Sequence, residues 1–353
     1  MNHIIEKFLE SQNRLVIQSS DLSLESIASM VESGAIDVTP GYQRRERWNV
    51  DKESALIESF ILNIPVPPIY LAEDEYGKYT VIDGKQRVTA IYKFMKNESK
   101  LKNLDRFSEL EGYTLNLLPS QLKNALTIRP YIRVVTLLNQ SDPNLKYEVF
   151  TRLNTGGDNL LAQEVRNVAF RGPLNDLIFE LSANEFLRKQ LKITTRNEKA
   201  YKEMVDAEYV LRFFALRIYW KNFPGNMNIA MNNFMNEFRF ADDNIIASFR
   251  TLYNSSIHLC EKIWGENAFH RPAGEDYRRL MLQGFYDAQM VPLSFFLDQN
   301  FTDDHMQLIK TGFYDLYSDD HLFHDSIRQF TSNPHRVRYR IEKMGDLIDS
   351  ILK

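Results

Sequence analysis

Hydrophobic and polar positions follow two different rhythms along this chain, with the change near residue 140. Before it, short alternating runs are interleaved with helical ones. Ser23 is placed to cap a helix whose apolar face is Leu24, Ile27, Ala28 and Val31, closed by Gly34. Ile36 to Thr39 reads as a short extended piece ending at Pro40-Gly41, and Asp51 as the start of a helix carrying Leu56, Ile57, Phe60 and Ile61. The prolines of Pro65-Val-Pro-Pro-Ile-Tyr-Leu71 exclude a helix and predict an edge strand. Lys78 to Ile82 alternates and is β-branched, as a half-buried strand does. Asp83-Gly84 then makes a turn, and Val88, Ile91, Phe94 and Met95 follow at helical spacing. Asn97 to Gly112 reads as a loop, and Tyr131 to Thr136 as a last strand with Ile132, Val134 and Thr136 on one side.

Beyond residue 140 the spacing is helical. Leu174, Leu177, Ile178 and Leu181 form one stripe, and Ala207, Val210, Leu211, Phe214 and Ile218 another. Lys221 to Asn244, rich in Asn, reads as a connection. Helical spacing resumes from Arg336 to Leu352 with Val337, Ile341, Met344, Leu347 and Ile348. The expected fold class is therefore α+β, a small mixed-sheet domain over residues 1–140 followed by an all-α domain over 141–353.

Composition adds few constraints. With 353 residues, 44% hydrophobic and 25% charged, the chain resembles ordinary globular proteins. It has no apolar run long enough for a membrane span and no signal-peptide pattern at its start. The single cysteine, Cys260, excludes an internal disulfide framework and a cysteine-rich zinc site. A cytoplasmic protein is expected, and an oligomer is compatible with the sequence. The net charge of −4 gives no global attraction to nucleic acid. The basic residues are nevertheless grouped. Arg44, Arg45 and Arg47 stand near Trp48; Arg188, Lys189, Lys192, Arg196, Lys199 and Lys202 form a second group. Arg328, His335, Arg336, Arg338, Arg340 and Lys343 form a third. Each reads first as a solvated face, beside aromatic or polar segments suited to phosphate contact.

Four stretches carry more polar chemistry than their positions require. They are Pro40-Gly-Tyr-Gln-Arg-Arg-Glu-Arg-Trp48, Ser59 to Ile69, Val81-Ile-Asp-Gly-Lys-Gln-Arg-Val-Thr89, and Phe150-Thr-Arg-Leu-Asn-Thr-Gly-Gly-Asp-Asn-Leu160 with Gln163-Glu-Val-Arg-Asn167. A helix that starts at a Gly turn aims free N–H groups and a partial positive charge outward. Lys85 and Arg87 add full charges there, so a phosphate is the natural guest. Taken alone, Asp83-Gly-x-x-Arg87 is also an ordinary strand-to-helix corner.

These stretches together resemble the GmrSD restriction-endonuclease N-terminal domain family, which carries an Asp-Gly-Gln-Gln-Arg motif. The early Gln-Arg and Trp fall on Gln43, Arg44 and Trp48, and the central motif on Asp83, Gly84, Lys85, Gln86 and Arg87. Lys85 replaces the usual Gln and adds a charge. The later Phe-x-Arg-Leu-Asn, Gly-Gly and Glu-x-Arg-Asn fall on Phe150, Arg152, Leu153, Asn154, Gly156, Gly157, Glu164, Arg166 and Asn167. The resemblance spans about residues 20–170; beyond it only helical character and a Thr-Ser…Arg stretch near 331–340 agree.

The resemblance implies a fold similar to ParB and sulfiredoxin, with residues 145–170 contributing to the same cleft. It implies an NTP as substrate or ligand, Mg²⁺ as cofactor, and a subunit of a prokaryotic DNA-restriction or phage-defence system. In that reading Asp83 holds Mg²⁺ or accepts a proton from attacking water, and Gln86 or Gln43 orients that water. Gln43, Arg44, Gly84, Lys85, Arg87, Arg152 and Asn154 would hold the nucleotide. DNA and a separate nuclease subunit are the expected partners. The alternatives are a ParB-like DNA-nicking enzyme and a non-enzymatic nucleotide-sensing or DNA-binding adaptor. No Gly-x-x-x-x-Gly-Lys-Ser/Thr loop and no His-Glu-x-x-His occurs. His321, His324 and Asp325 read as surface residues rather than metal ligands. Many relatives carry a His-Asn-His nuclease domain, and Asn333-Pro-His335 is too little to identify one.

Overall fold

The first unit of the chain is built on one five-stranded mixed sheet. In the computed structural model, residues 4–6, 8–9, 15–38, 48–153, 161–195, 198–271, 281–329 and 331–353 are described. By packing, the chain divides into units Met1–Ala169 and Phe170–Lys353. Residues 141–169 thus fold with the sheet rather than with the helices that follow.

In chain order the first unit contains β1 (Ile17–Ser23), α1 (Leu24–Glu32), β2 (Ile36–Asp37), α2 (Val50–Ile61), β3 (Ile69–Glu75) and β4 (Lys78–Asp83). It continues with α3 (Lys85–Met95), α4 (Ser120–Ile128), β5 (Tyr131–Leu137), α5 (Pro143–Leu153) and α6 (Ala162–Ala169). The strand order is β1-β5-β3-β4-β2. β1–β5 and β3–β4 are antiparallel; β3–β5 and β2–β4 are parallel. Alternation along each strand sends neighbours to opposite layers. Val81 and Leu71 join Leu24, Ile57, Val88 and Phe94 in the core under α1–α4, whereas Ile82 and Ala72 meet Phe150 and Val165 of α5 and α6.

Two strand expectations are corrected. The segment entered through Pro65, Pro67 and Pro68 is not an edge strand: β3 lies third of five. All three prolines precede Ile69, so no ladder N–H is missing from the strand itself. Of the two edges, β1 and β2, β1 escapes the sequence pattern because Ile-Gln-Ser-Ser-Asp-Leu-Ser has no buried residue. It is held by its ladder and by the Arg133–Asp21 pair across it. Ser23 does cap α1, accepting the Ser26 N–H at 3.1 Å. α2 starts one residue earlier than Asp51, because Asn49 accepts the Lys52 N–H at 3.0 Å.

The loop after α3 is pinned by Glu58, which is 4% exposed. Its carboxylate accepts the backbone N–H groups of Asp105, Arg106 and Phe107 at 3.1, 2.7 and 3.0 Å. Burial pushes the Glu58 carboxyl up, but these three donors outweigh it and hold its pKa below the usual value. A depressed folded pKa means stability that is complete above the ordinary carboxylate pKa and lost as pH falls through the folded value. Glu58→Gln should therefore cost about 2 kcal/mol at pH 7. In urea denaturation, its deficit against the wild type should shrink on acidification below about pH 4.

The second unit is helical: α7 (Pro173–Ser182), α8 (Glu185–Gln190), α9 (Lys199–Lys202), α10 (Val205–Tyr219) and α11 (Met227–Phe238) come first. α12 (Asp243–Trp264), α13 (Gln283–Leu293), α14 (Asp303–Asp319), α15 (His321–Arg328) and α16 (Pro334–Leu352) follow. The expected connection from Lys221 to Asn244 is mostly helix α11 instead. Asn228, Asn233 and Asn236 take the exposed face and Asn226 the cap, accepting the Asn228 N–H at 2.9 Å, while Ala230, Met231, Asn232, Phe234 and Met235 are buried. Phe234 stacks on Phe214 of α10 at 5.6 Å. Ile218, read as part of the α10 stripe, is exposed. Among the described residues no helix is long and apolar enough to cross a membrane.

Where α13 crosses α15, a Cβ on Gly284 would stand 2.2 Å from the Ile327 carbonyl oxygen. Alanine normally improves a helix interior by up to about 1 kcal/mol over glycine. Here the clash is with backbone and reverses the sign. Gly284→Ala should lose about 2 kcal/mol in thermal or urea unfolding, the cost of overpacking.

Candidate functional site

β4 ends at Asp83, and α3 begins two residues later, with only Gly84 between them. Gly84 has φ 94° and ψ 14°, the left-handed region, which lets the strand turn at once into the helix. The site is also tight. A Cβ there would sit 3.1 Å from the Arg87 Nε, the Arg87 Nη2 and the Ile69 Cγ1. Gly84, the N-cap residue of α3, has no side chain to cap it, and no acidic residue lies in the first turn of the helix. The positive end of the helix dipole, Lys85 and Arg87 therefore reinforce one another.

Arg87, one turn into α3, folds back over the corner. Its Nη2 donates to Asp83 Oδ2 at 2.5 Å and its Nη1 to the Pro67 carbonyl at 3.0 Å. The Arg87 side chain is 11% exposed and that of Asp83 40% exposed. The proline-rich segment before β3, the end of β4 and the start of α3 are thus tied together by one guanidinium. Gln86 does a different job: its Oε1 accepts the Trp48 N–H at 3.1 Å, which fixes the approach to α2.

Of the predicted site residues, the structure brings Asp83, Gly84, Lys85, Gln86 and Arg87 to this corner. Arg152 stands on α5, which packs on the other face of the sheet; it is exposed and paired with Glu148 one turn before it. Gln43, Arg44 and Asn154 lie outside the described residues. Among the described residues no group of three or more His, Cys, Asp or Glu is placed to hold a metal. Asp83 alone suits a site in which phosphates and water supply the remaining ligands of Mg²⁺, the usual arrangement for that ion.

The Gln163–Asn167 stretch, expected to contribute to the cleft, forms a polar cluster on α6. Gln163, Glu164, Arg166 and Asn167 are all fully buried, at 1% exposure or less. Gln163 Nε2 donates to Asn167 Oδ1 at 3.2 Å, and Arg166 Nη1 donates to Gln163 Oε1 at 3.1 Å. Glu164 accepts the Leu161 N–H at 2.7 Å, and the Arg166 guanidinium stands 5.9 Å over the Tyr147 ring. The available signal was four polar residues at i, i+1, i+3 and i+4, which leaves that helix no separate solvent face. Such networks rigidify a core only when every member is satisfied.

No curated protein and no solved structure matches the chain. The model of the GmrSD restriction endonuclease N-terminal domain matches residues 24–171, a span that contains the Asp83–Arg87 corner and the α6 network. Over residues 24–171, which include Asp83, Gly84, Gln86 and Arg87, this chain is thus similar to the GmrSD restriction-endonuclease N-terminal domain.

Proposed function

We propose that this protein is the nucleotide-binding, NTP-hydrolysing component of a DNA-restriction or phage-defence system. The restriction context comes from the domain match. The single observation that carries the nucleotide reading is the start of α3 at Gly84, which has no capping side chain of its own, beside Lys85 and a guanidinium already folded over the corner. This is the chemistry that receives a phosphate chain: backbone N–H donors, a helix dipole and a fork-shaped cation.

Asp83 and an incoming phosphate compete for the same Arg87. Phosphate binding draws the guanidinium away and leaves the carboxylate beside the terminal phosphate, where it accepts a proton from water. That water oxygen bonds to the γ-phosphorus as the bond to the bridging oxygen breaks, and the diphosphate leaves. Mg²⁺ held by Asp83 and the phosphates would neutralise charge on the transferred group. Gln86 serves as the tether that keeps Trp48 and α2 in place. Cleavage of DNA falls to a nuclease partner.

The test is phosphate release from ATP, GTP, CTP and UTP with Mg²⁺, alongside calorimetric binding. Release from at least one nucleotide is expected, and it should be absent from Asp83→Ala. Failure of the folded protein to bind any of the four would refute the reading. The tie between Asp83 and Arg87 favours one second reading, a nucleotide-sensing adaptor, whose mark would be binding without turnover.

A further inference from the structure

The third basic group is assembled by the fold from two segments that lie far apart in sequence, and the phosphate site described above makes no use of it. The turn Trp220–Asn222 packs against the first half of α16. Arg338 Nη1 donates to the Lys221 carbonyl at 3.4 Å, and a Cβ on Gly225 would meet Pro334 Cγ at 3.2 Å. This places Lys221, His335, Arg338 and Lys343 along one surface of the helical unit. The surface also carries two half-buried rings, each with a cation against it. Lys221 Nζ is 5.4 Å from the Trp220 ring centre, and Lys343 Nζ is 5.6 Å from that of Tyr339. His335 stacks on Tyr339 at 6.3 Å and 16°. Tyr339 is itself fixed by donating to Asp320 at 2.7 Å.

The order of charge along α16 is the reverse of the one that stabilises a helix. His335, Arg336 and Arg338 occupy its first half, with no acidic residue in the first turn, whereas Glu342, Asp346 and Asp349 lie further on. Cations near an N-terminus and anions near a C-terminus each oppose the dipole. Arg336 offsets this by donating to the Asp325 and Gln329 carbonyls, and Arg340 is buried on Asp287. Lys343 feels the charge of the Asp320 carboxylate, whereas among the described residues no ion pair joins Lys221 or Arg338 to an acidic group. Asp320, the acceptor of Tyr339, is an acidic group facing Lys343, and Glu342 adjoins Lys343 on α16.

We infer that this face of the helical unit binds the phosphate backbone of duplex DNA, through Lys221, Arg338 and Lys343. Duplex is favoured over single strands because both rings already have a cation on a face and are half-buried. They offer no open platform of the kind on which unpaired bases stack. The partner is therefore recognised by regularly spaced phosphates.

The experiment is fluorescence anisotropy of a labelled duplex of mixed sequence with the full chain, without nucleotide, over a series of salt concentrations. The comparison is with the combined variant Lys221→Gln, Arg338→Gln, Lys343→Gln. Binding should be salt-dependent, at least fivefold weaker in the variant, and its slope against log salt smaller by about 3, one per lost phosphate contact. If the triple variant fails a circular-dichroism check, Lys343→Gln alone should lower the slope by about 1. Absence of salt-dependent duplex binding, a loss under fivefold with unchanged slope, or tighter binding of single-stranded DNA or RNA of equal length would each overturn the inference. Phosphate release, measured separately, should be the same in the variant, so failure here leaves the nucleotide reading untouched.

Discussion

Asp287→Ala is expected to destabilise the helical unit by about 3–5 kcal/mol, enough to unfold it in many proteins of marginal stability. Asp287 is 0% exposed and accepts two bonds from Arg212, both at 2.7 Å, and one from Arg340 at 2.5 Å. Arg212 and Arg340 are themselves 2% and 0% exposed. The three side chains join α10, α13 and α16, and Arg340 also donates to the carbonyls of Ser326 and Thr331 at 2.8 Å each. Burial pushes the Asp287 carboxyl up, but the two guanidinium charges outweigh it and hold its pKa below the usual range.

The carboxylate therefore stays charged wherever the protein is folded at neutral pH. Its contribution is present above the ordinary carboxylate pKa and is lost as pH falls through the depressed folded value. Removing it strands two positive charges in a water-excluded core. Replacing all three residues together with apolar ones of similar size should, by contrast, be close to neutral, because no charge is left to desolvate. Urea denaturation of the full chain checks both. A loss under 1 kcal/mol in Asp287→Ala would mean the triad is not held as described.

The second large effect is at the corner. Arg87→Ala should weaken nucleotide binding about 10- to 100-fold, the value of a charge-assisted hydrogen bond to a phosphate. Asp83→Ala should act differently. It frees the guanidinium from its internal partner, so affinity should hold or rise while phosphate release falls by at least 100-fold, as for loss of a positioned base. Arg87→Lys should recover only part of the binding, since an ammonium cannot reproduce the fork that spans Asp83 and the Pro67 carbonyl. Calorimetry and phosphate release measured on all three variants separate the roles. If Asp83→Ala loses affinity to the same degree as Arg87→Ala, the pair is a structural strut and not a phosphate-sensitive latch.

The corner itself was legible because all its information is local. Alternation up to Ile82, Asp83-Gly84, and apolar residues at helical spacing from Val88 specify strand, turn and helix within a few residues, and the structure has them there. β3 misled for the same reason in reverse. Prolines report on the residue they occupy, whereas whether a strand is central depends on partners such as Thr136, across from Leu71, and Thr80, across from Ala72, which lie in other strands. α11 was missed because Asn frequency outweighed the spacing of Ala230, Met231, Phe234 and Met235, although that spacing was present.

By itself the sequence determined the two rhythms, an α+β unit followed by helices, and the strand–glycine–helix corner with its basic first turn. Periodicity and turn chemistry act over a few residues, so they can be read without knowing what packs where. Only the tertiary structure decided that β3 is interior, that the polar run Gln163–Asn167 is buried, and that Arg87 is committed to Asp83 and Pro67. It also decided that Asp287 lies between arginines 75 and 53 positions away, and that Lys221 joins Arg338 on one surface. These pairings depend on burial and on charge meeting charge across the fold, which no local pattern encodes.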